Sequence, residues 1–313
     1  MIKEEFYFDS RDGENRIHAV RYTPDDGNVR GIVQIVHGMA EYVERYENLA
    51  EFLTKRGILV TGEDHLGHGK SVSEGGSFGY FCEQDPATVV VRDVHRLKKI
   101  TEEQYPQVPY IILGHSMGSF IARNYLCRYG SGIDGAVIVG TGMQSSGLIF
   151  ASKAMAGIQK LFCGSKHVSH FIDKAAFGGY NKRIDSPKTS SDWLSRNTDN
   201  VDRYIADELC GFTFTVNGFQ TLFELIRRLQ KQENLEKVPQ NLPILMVSGA
   251  EDPVGDYGKG VHKACDSLKR AGVKNIIVKL YENDRHELLN EDDAETAMED
   301  IWQWICKEVP GIA

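Results

Sequence analysis

The residues of this chain best suited to covalent chemistry are serines set between glycines. The pattern G-x-S-x-G occurs twice, as Gly114-His115-Ser116-Met117-Gly118 and as Gly75-Gly76-Ser77-Phe78-Gly79. With 31 glycines in the chain, spelling alone separates neither from chance, so the surroundings decide. A serine that attacks an acyl carbonyl needs a sharp turn between a strand and a helix, where Gly114 and Gly118 avoid a clash and the hydroxyl stands clear. Residues 110–113 read as the strand before Ser116, and 117–129 has the three- and four-residue apolar spacing of a helix. Ser77 follows a glycine- and serine-rich run and precedes Tyr80-Phe81-Cys82 with no helical period. It reads as a loop residue, and Ser116 is the candidate nucleophile.

A serine hydroxyl attacks effectively when an imidazole takes its proton and a carboxylate fixes the tautomer of that imidazole. Behind such an elbow the carboxylate and then the histidine follow in chain order, each on a loop after a strand. Of ten histidines only His262 and His286 lie in the last third. His262 falls inside a helical pattern, whereas His286 follows the apolar run 275–280 and is the candidate base. The loop after 243–248 offers Glu251, Asp252 and Asp256. Asp252 is favoured because Pro253 stiffens the turn and biases Asp252 toward an extended backbone. Asp256 lies near the next helical pattern, where N-capping is the plainer reading. His65 and His68 sit in a glycine-broken turn and read as polar turn residues, not metal ligands. Alternation along the elbow turns His115 away from the reaction side.

Negative charge on the attacked oxygen calls for preorganised backbone N–H donors, each contributing about 2.7–4 kcal/mol. Met117, directly after the serine, is one expected donor. The other is Met39, in the loop His37-Gly38-Met39-Ala40-Glu41 after the strand 31–36, where Gly38 allows close approach.

These loops require a scaffold. Short apolar runs at 31–36, 58–61, 110–113, 136–139, 243–248 and 275–280 are apolar on both faces and read as strands buried in a parallel sheet. Helical patterns at 42–56, 86–104, 117–129, 257–271 and 294–307 alternate with them, which implies right-handed crossovers and a doubly wound sheet. Residues 5–10 and 16–23 alternate and form an expected antiparallel hairpin at one sheet edge. The fold class is therefore α/β, a mostly parallel eight-stranded sheet flanked by helices. The interval between the strands at 136–139 and 243–248 far exceeds the roughly two to six residues of a βα loop. Helical spacing at 147–162, 201–209 and 218–231 assigns 144–217 to an inserted helical cap, with 1–143 and 218–313 as the core.

The charge balance, 36 Lys and Arg against 44 Asp and Glu, is −8 with no basic cluster, which argues against nucleic acid. Six scattered cysteines show no metal or redox spacing and are expected as free thiols. The first residues, Met1-Ile2-Lys3-Glu4-Glu5-Phe6, lack the apolar run of a secretory signal. No stretch approaches the roughly 20 apolar residues of a membrane span, and the expected location is the cytoplasm.

Together, His37-Gly38-Met39-Ala40-Glu41 with Arg45-Tyr46, Asp64-His65-Leu66-Gly67-His68-Gly69-Lys70-Ser71, Gly114-His115-Ser116-Met117-Gly118, and Asp252 with His286 resemble the monoacylglycerol lipase and lysophospholipase branch of the α/β-hydrolases. The resemblance implies the α/β-hydrolase fold and hydrolysis of single-chain lipid esters or small acyl esters through an acyl-enzyme. It implies no metal or organic cofactor, and a cap that shapes the acyl pocket. An aminopeptidase or a thioesterase would share the triad and differ in the pocket. A low-turnover ligand-binding protein of the same fold is the reading of another class. The apolar cap segment 147–158 is expected to pack on the core, with transient contact to a membrane surface as the other reading.

Overall fold

A computed structural model describes residues 1–312 of the chain. Its strands are β1 (Ile2–Asp9), β2 (Arg16–Thr23), β3 (Gly31–Val36), β4 (Ile58–Glu63), β5 (Tyr110–His115), β6 (Gly135–Val139), β7 (Ile244–Gly249) and β8 (Ile276–Tyr281). They form one sheet in the order β1-β2-β4-β3-β5-β6-β7-β8. The expected hairpin β1–β2 lies at one edge and joins β4 in antiparallel register, while the remaining pairs are parallel.

Side chains alternate across the central strands as a pleated sheet requires. Ile32, Ile112, Ile138 and Met246 enter one core, and Val33, Ile111, Val137 and Val247 enter the other. Helices α1 (Glu47–Thr54), α2 (Pro86–Gln104) and α3 (Met117–Tyr129) follow β3, β4 and β5. Between β6 and β7 come α4 (Ser146–Cys163), α5 (His170–Phe177), α6 (Thr198–Ala206), α7 (Val216–Leu229) and α8 (Gln232–Leu235). Helices α9 (Lys259–Arg270) and α10 (Ala294–Glu308) follow β7 and β8. The first core takes Val94 of α2, Ile121 of α3, Leu225 of α7 and Leu268 of α9, whereas Leu53 of α1 and Ile301 of α10 cover the other.

Several local expectations change in the structure. The helix expected at 42–56 begins as a 3₁₀ turn, Val43–Tyr46, because the Asp64 carboxylate draws in the Val43 N–H at 2.9 Å. Helix α9 starts after three left-handed residues, Asp256 (φ 48°), Tyr257 (φ 55°) and Gly258 (φ 85°), with no side-chain cap. Asp256 is therefore not an N-cap. Strand β8 is not buried on both faces. It lies at the sheet margin, where Ile277 and Lys279 face outward. In the insertion α5 is an additional helix, and α6 starts at Thr198 because the Asn197 side chain accepts from Asn200 N. On α4 only Ile149 and Ala156 are buried, so most of that helix does not pack on the core.

Chain direction reverses between β3 and β5: the path runs outward from β3 to β4 and then crosses back to β5 on the other side of β3. Such a switch point opens a crevice at the carboxyl ends of the strands, and the residues after β3 and β5 fill it. Their close approach depends on Gly118, where a Cβ would run into the carbonyl oxygens of Val36 and His37. Gly118→Ala is expected to destabilise the fold by about 1–3 kcal/mol, read as a lower urea midpoint. Gly147→Ala, whose methyl meets nothing within 4 Å, leaves that midpoint unchanged or higher.

Candidate active site

Strand β5 passes into α3 through a single residue, Ser116, held at φ 54°, ψ −122°. That conformation is costly for a residue with a Cβ. It persists because the turn is bonded on both sides. Ser116 N donates to Val139 O at 3.0 Å, and Ser116 O accepts from Ser119 N at 2.9 Å and from Ser119 Oγ at 2.6 Å. Gly114 and Gly118 face each other across the turn, and a Cβ on Gly114 would meet the Gly118 carbonyl.

Loops from three different strands converge here. His286 Nε2 lies 2.8 Å from Ser116 Oγ, and His286 Nδ1 lies 2.9 Å from Asp252 Oδ2. Asp252 is wholly buried, its Oδ1 accepting from Val254 N at 2.8 Å and its Oδ2 from Ser248 Oγ at 3.2 Å. Glu251 and Asp256 are exposed, as are His262 on α9 and Ser77 in its loop. Gly38 reaches the site closely, since a Cβ there would stand 3.0 Å from Ser116 Cβ. Met39 and Met117 border the same space.

The histidines read as turn residues are buried struts. His37 Nε2 accepts from His65 N at 3.0 Å and His37 Nδ1 faces Gly38 O at 2.8 Å, which fixes a neutral tautomer. His65 stacks on His37 with ring centroids 4.0 Å apart. Burial lowers the pKa of all three rings, that of His68 to about 3. They therefore hold the Met39 loop as uncharged aromatic packing. Among the described residues one group, Glu5, His18 and Glu44, brings metal-type ligand atoms together. Lys70 already pairs with both carboxylates, and Asp64 holds His18 Nδ1 at 2.8 Å.

The loops are joined by a buried charged network that sequence spacing hints at only in the four-residue interval from Glu41 to Arg45. Glu41 Oε1 accepts from Gly38 N at 2.5 Å and from Tyr46 OH at 2.8 Å, and Oε2 accepts from Arg45 Nη1 at 2.8 Å. Arg45 then grips Glu287 bidentately at 2.7 and 2.8 Å, and Asn200 of α6 donates to the same carboxylate. His115 borders the cavity and is bonded into the same network. Its Nδ1 lies 3.2 Å from Glu41 and its Nε2 lies 3.2 Å from His286 O. Burial opposes charge on His115, but the hydrogen bond and charge of Glu41 outweigh it and raise the pKa. Burial likewise opposes ionisation of Glu41 and Glu287, and their cationic partners, His115 and Arg45 for Glu41 and Arg45 for Glu287, hold both below the ordinary carboxylate value.

Over Ser116 lies a cavity of about 790 Å³. Leu148, Ile149 and Met155 of α4, Phe177 of α5, and Leu222, Phe223 and Ile226 of α7 give it apolar walls, while Glu41, Glu287 and Tyr204 line a polar part. Such a cavity takes an elongated apolar group with a polar end at the serine.

The Arg45 network carries a prediction. Because Glu41 and Glu287 have depressed folded pKa values, their stabilisation is complete above the unfolded value of about 4.3 and is lost as pH falls through the lower folded values. Arg45→Met leaves the buried Glu287 without its cation and Glu41 with His115 alone, and is expected to cost about 3–5 kcal/mol at neutral pH. Denaturant titrations across pH should show the gap to the unmodified protein narrowing in acid.

The chain is similar to several known proteins over most of its length. The chain is 27% identical over 293 residues to monoglyceride lipase of Rattus norvegicus, covering 92% of this chain and 86% of that one. Against monoacylglycerol lipase of Mycolicibacterium smegmatis it is 28% identical over 285 residues, covering 91% and 90%. A thermostable carboxyl esterase from Bacillus coagulans, solved in complex with glycerol, superposes with a TM-score of 0.92 at 31% identity over 100% of both chains. The family model described as serine aminopeptidase, S33, matches residues 27–293, a stretch that contains the loops of Met39, Ser116, Asp252 and His286. On that match the chain belongs to the serine aminopeptidase S33 family of the α/β-hydrolases.

Proposed function

We propose that the chain hydrolyses carboxylic esters of single-chain lipids through an acyl-enzyme on Ser116. One observation carries the reading: Ser116 Oγ, His286 and Asp252, from three separate loops, form a continuous hydrogen-bonded chain of 2.8 and 2.9 Å. His286 Nε2 takes the hydroxyl proton as Ser116 Oγ bonds to the ester carbon, and Nδ1–H donates to Asp252 throughout. The negative oxygen that results is held by the N–H groups of Met39 and Met117. Met117 opens α3, where the first N–H groups have no intrahelical acceptor. The imidazolium then gives its proton to the leaving alcohol, and a water molecule repeats the sequence to release the acid.

The residues 144–217 act in this reading as a cap. The relatives named for monoacylglycerol point to a lipid ester, and the apolar walls supplied by α4, α5 and α7 suit an acyl chain. The outer face of the cap is also apolar: Phe150, Leu161, Phe162 and Phe171 are 77%, 84%, 84% and 65% exposed. Lys153, Lys160, Lys166 and Lys174 lie along the same stretch. That combination suits transient contact with a lipid surface. No helix among the described residues is long and apolar enough to cross a membrane. All six cysteines are free thiols, which suits the cytoplasm.

Ser116→Ala is expected to cut turnover of p-nitrophenyl esters about a million-fold and to abolish labelling by a fluorophosphonate. Unchanged turnover in that variant would discard the reading, and labelling without turnover of any ester, peptide or thioester would favour a binding protein. For the cap surface, the protein should sediment with phosphatidylglycerol vesicles. Leu161→Asp with Phe162→Asp should remain in the supernatant while hydrolysing short esters normally, and equal sedimentation of both proteins counts against membrane contact.

A further inference from the structure

The sequence neighbours Arg285 and His286 act on the same piece of the cap. Arg285 Nη1 donates to Asp192 O at 2.8 Å and to Ser195 O at 3.0 Å, carbonyls on either side of Trp193. Trp193 N is held from the cap side by Asn181 Oδ1 at 2.9 Å. The indole between these anchors lies over His286, with centroids 5.1 Å apart and planes at 40°. Tyr180 backs it at 4.8 Å in an edge contact. The strap is fastened again further along: Glu291 Oε2 accepts from Ser195 Oγ and Arg196 N at 2.9 Å, Glu291 Oε1 accepts from Arg285 N at 2.9 Å, and Glu287 N donates to Leu194 O at 2.7 Å.

We infer that Trp193 is a positioning residue for the base, laid on the His286 ring by Arg285, so that part of the cap belongs to the machinery of turnover as well as to the substrate pocket. This rests on the reading of His286 as the base. When His286 takes the serine proton it becomes an imidazolium within the roughly 6 Å over which an aromatic face attracts a cation. The free enzyme and the bound ester carry a neutral imidazole, so the attraction grows only as the reaction proceeds. An interaction of that kind acts on kcat and leaves KM nearly untouched. The indole also keeps water from one face of the ring and, with His115 4.8 Å from the same ring, limits its tilt between Ser116 and the leaving oxygen. Because the strap is fixed to the base loop at so many points, any opening of the cap falls to α4 and α5, and Trp193 stays in place.

The test uses p-nitrophenyl acetate, whose acyl group is too short to depend on the apolar walls. Trp193→Leu should lower kcat about 10- to 100-fold with KM within about 2-fold, and Trp193→Phe should restore most of the loss. Arg285→Met should show the same split, and the double variant should be no worse than Trp193→Leu alone, because Arg285 acts through Trp193. Thermal unfolding identifies variants that do not fold. Arg285→Gln, which is too short to reach both carbonyls, carries the same kcat test if Trp193→Leu is one of them. A raised KM with unchanged kcat, or additive losses in the double variant, would reduce Trp193 to a pocket wall and overturn the inference. Loss of activity in Ser116→Ala alongside normal kcat in Trp193→Leu separates failure of this inference from failure of the mechanism itself.

Discussion

A carboxylate removed from water must find donors for its lone pairs, and Glu41 meets that demand within its own turn and through His115 at the end of β5. Its partners are the Gly38 amide, the Tyr46 hydroxyl, the His115 ring and the Arg45 guanidinium. Through His115 the constraint reaches the backbone of His286, and through Arg45 it reaches Glu287 and Asn200. One buried charge therefore sets the spacing between the Met39 loop, the serine elbow and the base loop. None of the three has regular structure of its own to hold it there.

The sheet and the insertion contribute in different ways to the same site. Parallel strands fix the loop exits to within the width of a strand, and the switch between β3 and β5 leaves the crevice in which Gly38 meets Ser116. The insertion supplies apolar walls from α4 and α5, and it also sends the Trp193 strap back to the loop that carries His286. One stretch of chain therefore both walls the cavity and touches the loop of His286.

Much of the scaffold is legible in the sequence because the signals are local. Runs such as 110–113 and 243–248 are short, β-branched and apolar, and a strand covered on both faces needs nothing else. Ser116 is legible because strand, glycine, serine and helix follow one another directly, and Asp252 and His286 because each loop has an address after a strand. Arg45 and Glu287, far apart in the chain, meet only once the base loop folds over the sheet. No spacing rule encodes that meeting. The same holds for Trp193 over His286 and for the contacts of His115 with Glu41 and His286. At Asp256 a helix-start rule fails because the chain takes left-handed turns first, a tertiary demand of the acid loop packing against Thr141 and Ser248. On α4 apolar spacing signals burial, whereas one face lines the cavity and Phe150, Leu161 and Phe162 point to solvent.

The elbow also bears on how such a chain drifts under selection. A serine at φ 54°, ψ −122° holds a sparsely populated conformation that costs a residue with a Cβ about 1–3 kcal/mol, and glycine is strained less there. Replacement of Ser116 by glycine relieves that strain, against the entropic cost of glycine and the lost contact with His286. A search that rewards only stability, in a laboratory library or in a lineage freed from its substrate, will tend to silence this site while improving the fold around it. Persistence of serine at that position in a working lineage thus records selection on chemistry, acting against a standing pull toward a quieter and sturdier protein.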